Sequence, residues 1–188
     1  MKIEKFNYPY EYIVIDDYLP QDDYAEIVHE VLTNHNKFSS DHLGRERTHI
    51  FTNEKNDTSG QWQFIADEAN IFDEKYLIDN FEVHRPYRSL KKAYDINWSK
   101  PGHQHKIHAE AKNKVLTAVT YLYPEKATGT LLYDKNKRLV TEIEWKPNRC
   151  FVMCGISDTT WHSFVAPIDS PRVTLVTMLL RDKDDVAM

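Results

Sequence analysis

Apolar positions along this chain change their rhythm partway through. Tyr12-Ile13-Val14-Ile15 is a short apolar run closed by Asp16, Asp17 and Pro20, the pattern of a buried strand. Behind it, Tyr24, Ile27, Val28, Val31 and Leu32 recur at helical spacing, with Asp22 and Asp23 suited to the positive N-terminal end of a helix. A strand followed by a packing helix is expected here. Residues 34–57 then turn polar, around His42, Gly44, Arg45, Arg47 and His49, and read as a loop with a short strand at 48–52. Ser59 caps an expected second helix whose apolar stripe is Trp62, Ile65, Ala66, Ala69, Phe72 and Tyr76.

From Leu90 onward the period is that of strands. Runs rich in β-branched and aromatic residues fall at 93–98, 105–109, 115–123, 130–133, 139–145, 150–154, 160–166 and 173–180. Turn signals separate them, among them Pro101-Gly102, Asp134-Lys135-Asn136, Pro147-Asn148 and Gly155. Short strands at that spacing predict a sandwich or jelly-roll barrel and argue against alternating βαβ units. The whole is expected to be one folding unit over residues 1–188. Residues 1–89 supply the N-terminal strand, the helices and the substrate-side loops, and residues 90–181 supply the β core.

Composition narrows the function classes. With 41% hydrophobic and 28% charged residues the chain is ordinary for a globular protein. A net charge of -5 offers no basic field for a phosphate backbone, which argues against nucleic-acid binding. The N-terminus lacks the apolar centre of a signal peptide, and no apolar run approaches the roughly 20 residues of a membrane span. A soluble, intracellular, cytoplasmic protein is expected. Cys150 and Cys154, four apart in one strand, would have Cα atoms ~13 Å apart, too far for a disulfide, and read as small buried residues.

Candidate chemistry centres on His108-Ala109-Glu110. Residues two apart share a strand face, so His108 and Glu110 can enter one cavity together. A second imidazole from a distant strand completes a facial set of two nitrogens and one oxygen. Such a set holds a divalent metal such as Fe(II) and leaves three positions open. His105, at odd spacing from His108, is expected to face away, and His103 and His105 to flank the site only.

From about residue 94 to 180 the chain resembles the Fe(II)/2-oxoglutarate-dependent dioxygenases. The residues that carry the resemblance are His108-Ala109-Glu110, His162, and Arg172 ten residues after it. Supporting phrases are Lys114-Val115-Leu116-Thr117 leading to Tyr121-Leu122-Tyr123-Pro124, then Gly129-Thr130-Leu131, Pro147-Asn148-Arg149 and Trp161-His162-Ser163.

The resemblance implies a cupin-like double-stranded β-helix flanked by helices, with iron held by His108, Glu110 and His162. It implies that Arg172 binds the distal carboxylate of 2-oxoglutarate, a task for a planar guanidinium fork, with Thr174 assisting. Asn97, four residues before Pro101-Gly102, matches an amide that contacts 2-oxoglutarate in some branches. Ser99 departs from a position that is often tyrosine, leaving Tyr94 or Tyr121 to supply a phenol. Glu110 stands where aspartate is commoner. Because a carboxylate is present, a halogenase is disfavoured.

The implied reaction consumes 2-oxoglutarate and O2, releases succinate and carbon dioxide, and hydroxylates a small molecule or a protein side chain. A cupin-like metal protein, acting as an isomerase or without catalysis, is the alternative, but it has no use for Arg172. A third reading is a β-sandwich binding module whose histidines are incidental. The substrate-side loop with Arg45, Arg47 and His49 is the first place to look for selectivity.

Overall fold

All eight β runs expected after residue 90 are strands. The computed structural model describes residues 2–37, 39–40, 46–51, 90–155 and 158–181. In chain order the elements are β1 (Lys2–Phe6), β2 (Tyr12–Asp16), α1 (Gln21–Asn34), β3 (Ser39–Ser40), β4 (Glu46–Phe51), β5 (Leu90–Ser99), β6 (Gln104–His108), β7 (Lys114–Tyr123), β8 (Thr130–Tyr133), β9 (Leu139–Ile143), β10 (Cys150–Cys154), β11 (His162–Val165) and β12 (Arg172–Arg181). One α-helix stands among the described residues, so the expected plural is not met there. The second helix, with Trp62 and Phe72, lies outside them, as do the side chains of Arg45, Arg47 and His49. No helix among the described residues is long and apolar enough to cross a membrane.

The strands form two antiparallel sheets. The larger has the order β1-β2-β10-β7-β12-β5-β4-β3, and the smaller β6-β11-β8-β9. The expected barrel is not seen as a closed one: among the described residues the strands divide into these two sheets, with no strand common to both.

Burial explains the sequence of the central strands. β10 reads Cys-Phe-Val-Met-Cys and is buried on both faces, so it carries no polar alternation. Cys150, Val152 and Cys154 face outward with Ile13, Ile15, Leu116 and Leu175, where Ile27 and Val31 of α1 cover them. Both cysteines are buried and free, as expected. Truncating Ile27 to alanine at such a site costs about 2–5 kcal/mol. Phe151 and Met153 point the other way and meet Tyr12, Val14 and Tyr121, with Leu132 and Ile143 of the small sheet.

The phrase Pro147-Asn148-Arg149 serves the fold. Asn148 has a left-handed backbone (φ 61) and its buried amide accepts from Leu19 N at 2.9 Å and donates to Leu19 O at 2.8 Å. Arg149 beside it holds both oxygens of Asp16, at 2.6 and 3.2 Å. These contacts tie β2 and the start of α1 to the turn before β10. Strand β1, which the apolar pattern did not suggest, is exposed along its whole length and is held by backbone pairing to β2.

Candidate metal centre and anion pocket

One rung of the small sheet brings two histidines together. His162 is the cross-strand partner of His108, and their ring centroids are 4.2 Å apart. Glu110, just beyond β6 and only 6% exposed, puts Oε1 3.7 Å from His162 Nε2.

Backbone carbonyls set the tautomers. A carbonyl only accepts, so His108 Nδ1 donates to Lys106 O at 3.0 Å and His162 Nδ1 donates to Thr160 O at 2.9 Å. Nε2 of each neutral ring is left with its lone pair, the arrangement of a metal-binding histidine. Burial, then the neighbouring His162, pushes the His108 pKa down to about 4, and burial lowers that of His162. Both imidazoles are neutral near pH 7, the form that ligates.

Lys114 is the unforeseen member of this cluster. Its Nζ lies 2.7 Å from Glu110 Oε2. Burial opposes ionisation of Glu110, but Lys114, with His162 next, outweighs it and holds the carboxyl below its ordinary range. The ammonium thus occupies Oε2 and leaves Oε1 towards His162.

On the large sheet, Thr174 pairs with Asn97 on one side and Tyr121 on the other, and Arg172 pairs with Ser99. Arg172 is 2% exposed. Its Cζ lies 4.1 Å from the centroid of Phe164, 5.0 Å from Trp145 and 5.3 Å from Tyr121. Nη2 donates to Thr130 Oγ1 at 3.3 Å, to which the Tyr121 hydroxyl also donates at 2.7 Å. Burial lowers the guanidinium pKa to about 10, so it remains charged near neutrality. Among the described residues no carboxylate pairs with it, and its Nε has no partner.

His108, Glu110, His162, Arg172, Thr174 and Asn97 all line a single cavity of about 90 Å³, several times the space one water needs. His105, Lys114, Asp95, Thr130 and Phe164 share its wall. His105 is therefore a correction, since regular alternation predicts that it faces away. Of the two candidate phenols, Tyr121 lies against Arg172, whereas Tyr94 packs in the core on the opposite face of the sheet. His103 sits 6.1 Å from Phe164 and does not line the cavity.

The donor set suits a borderline divalent ion in kind, and the partnerless Asn97 Oδ1 and Arg172 Nε mark an adjoining polar slot. It is not a closed cage as it stands. Among the described residues no three His, Cys, Asp or Glu side chains converge on one point. His108 Nε2 faces His105 and Glu110 Oε2 faces Lys114, so side-chain rotation within the cavity is needed to close on an ion.

No protein-family model matches the sequence, and no curated protein does. Solved structures do match in fold. A Pseudomonas putida prolyl-4-hydroxylase superposes with a TM-score of 0.61 at 14% identity, over 90% of this chain and 92% of that one. A prolyl hydroxylase from Trichoplax adhaerens, in complex with a peptide fragment of the hypoxia inducible factor oxygen degradation domain, gives 0.65 at 15%, over 94% and 86%. An oxidoreductase of the 2OG-Fe(II) oxygenase family from Burkholderia pseudomallei gives 0.64 at 11%, over 90% and 84%. At these identities the likeness is one of architecture, and the chain has the fold of the prolyl hydroxylases and of a 2OG-Fe(II) oxygenase.

Proposed function

We propose that this protein is an Fe(II)- and 2-oxoglutarate-dependent dioxygenase that hydroxylates a small molecule or a protein side chain, with release of succinate and carbon dioxide. The observation that carries the reading is Arg172, a buried guanidinium among aromatic rings, without a carboxylate partner among the described residues, beside two neutral imidazoles and a carboxylate. A buried charge left uncompensated costs several kcal/mol. A dicarboxylate cosubstrate removes that penalty, whereas a cupin-like metal protein without one leaves it standing.

In this reading His108, Glu110 and His162 hold the iron. Arg172 takes the distal carboxylate of 2-oxoglutarate, with Thr174 and Asn97 lining the same slot. Iron and 2-oxoglutarate together supply the oxidising chemistry when bound. The chain's own part is to hold and orient. Carbonyls of Lys106 and Thr160 set the tautomers of the two rings, Lys114 keeps Glu110 ionised, and Phe164, Trp145 and Tyr121 keep water from the guanidinium. The two sheets are read as the halves of a double-stranded β-helix. The Trichoplax enzyme's peptide complex supports a protein side chain as one substrate class, and the charge of -5 argues against nucleic acid.

Purified protein incubated in air with Fe(II), ascorbate and labelled 2-oxoglutarate tests the reading. Succinate formation that requires Fe(II) and disappears in His162→Ala is the expected result.

A further inference from the structure

The half of the cavity away from Arg172 carries polar groups that a cosubstrate held by Arg172 does not reach. Antiparallel registers set the order along its floor. On β12, Arg172, Thr174 and Val176 alternate onto one face. Thr174 lies between Asn97 of β5 and Tyr121 of β7, and Val176 between Asp95 and Val119. Met178, one step further, lies between Ala93 and Thr117. Asp95, Thr117, Val119 and Val176 all line the cavity.

Four residues of strand separate Arg172 from Val176, about 13 Å. An extended five-carbon diacid spans only about 7 Å between its outer oxygens. The guanidinium also meets Tyr121 of β7 and Thr130 of β8, whereas Asp95 stands on β5, on the opposite flank of β12. A diacid seated on Arg172 therefore leaves the Asp95 end for another molecule.

The chemistry of that end is a carboxylate and a hydroxyl above an apolar floor. Asp95 is 4% exposed. It already interacts within the protein, but two carboxylate oxygens accept several donors. Thr117 is 1% exposed, and its Oγ1 has no hydrogen-bond partner among the described residues. A donor entering the cavity removes the cost of that unmet hydroxyl. Val119 and Val176 join Ala93 and Met178 in an apolar cluster on the same face. Lys114, the lysine on the cavity wall, is engaged with Glu110 at 2.7 Å and so is not available to an anion.

We propose that Asp95 and Thr117 form a substrate subsite that takes a primary ammonium on an apolar chain, borne by a free amine or by a lysine side chain. This rests on the reading of the Arg172 end as the 2-oxoglutarate slot. An ammonium has three N–H donors for the carboxylate and the hydroxyl, and its charge makes the bond to the carboxylate stronger than a neutral donor does. The two valines cover its methylenes.

The test uses the full chain with Zn(II) and 2-oxoglutarate, and measures binding of three probes by ligand-observed NMR: n-pentylamine, N-acetyl-lysine methylamide and the uncharged N-acetyl-norleucine methylamide. The wild type should bind at least one ammonium probe about ten-fold or more tighter than the uncharged one. Tighter binding of the lysine derivative assigns the subsite to a side chain, and tighter binding of n-pentylamine assigns it to a free amine. Asp95→Asn should abolish the preference with an unchanged circular dichroism spectrum. Thr117→Val, which keeps the shape of the side chain, should weaken ammonium binding about three-fold or more, so a folding defect in one variant leaves the other to decide. No ammonium preference in the wild type, or a preference that survives in both variants, overturns the subsite; a melting temperature that 2-oxoglutarate still raises in the wild type and not in Arg172→Leu then leaves the cosubstrate reading standing. Wild-type protein that 2-oxoglutarate does not stabilise overturns the cosubstrate reading, and the subsite's role beside it.

Discussion

His162 lies directly across the β6–β11 ladder from His108, with ring centroids 4.2 Å apart. Hydrogen-bonded backbone, rather than a loop, therefore fixes the separation of two residues that are distant in the chain. The backbone thus sets the two histidines side by side, with Glu110 two residues after His108, and only side-chain rotation is left to bring the three onto one ion.

Replacing His162 with alanine should reduce divalent-metal affinity by at least about 10–100-fold. Anaerobic calorimetry with Zn(II) reads the loss. The far-ultraviolet circular dichroism of the variant should match that of the wild type, because the backbone rung does not need the ring.

Arg172 permits a two-sided prediction. Arg172→Lys removes the planar fork and should weaken 2-oxoglutarate at least about ten-fold without changing metal affinity. Arg172→Leu removes a buried charge that no carboxylate among the described residues neutralises. Its melting temperature without ligands should equal or exceed the wild-type value, while 2-oxoglutarate no longer stabilises it. A fall of several degrees in the ligand-free variant would show that the guanidinium is structurally compensated.

Lys114→Met takes the ammonium from a carboxylate that is 6% exposed. The metal-free protein should lose about 1–3 kcal/mol of stability. Bound metal then supplies the missing positive charge, so Zn(II) should raise the melting temperature of Lys114→Met by more than it raises that of the wild type. Equal shifts in differential scanning fluorimetry would contradict a shared Glu110.

Asp16 offers a pH test away from the cavity. The Arg149 hydrogen bond, opposed by burial and aided by Lys146, holds its carboxyl below the ordinary 3.8. A carboxyl whose folded pKa is depressed stabilises the fold above its unfolded value, and the contribution disappears as pH falls through the folded one. Asp16→Asn should therefore cost about 1 kcal/mol near pH 7. Urea denaturation should show the difference shrinking below about pH 4, towards zero once the wild-type carboxyl is protonated.

Strand periodicity and turn chemistry were enough to place β5 to β12, because each run is bounded by proline, glycine or asparagine and most have a buried face. β1 was hidden because Lys2–Phe6 is exposed throughout and is set by pairing, not by burial. The six residues expected at the site do share one cavity. His105 and Lys114 escaped for different reasons. A bulge changes the face of His105, and a bulge depends on the register of a partner strand that local sequence does not specify. Lys114 stands four residues after Glu110, but that spacing implies contact only when the intervening turn folds back. Sheet face, which local sequence does not reveal for these two residues, puts Tyr121 against Arg172 and Tyr94 in the opposite core.

The most direct measurement is anaerobic addition of Fe(II) and then 2-oxoglutarate to the metal-free protein, followed by visible absorption. A metal-to-ligand charge-transfer band should appear only when both are present, and should be missing in His162→Ala. Folded wild-type protein that develops no such band, and forms no succinate when air is admitted, would contradict the account.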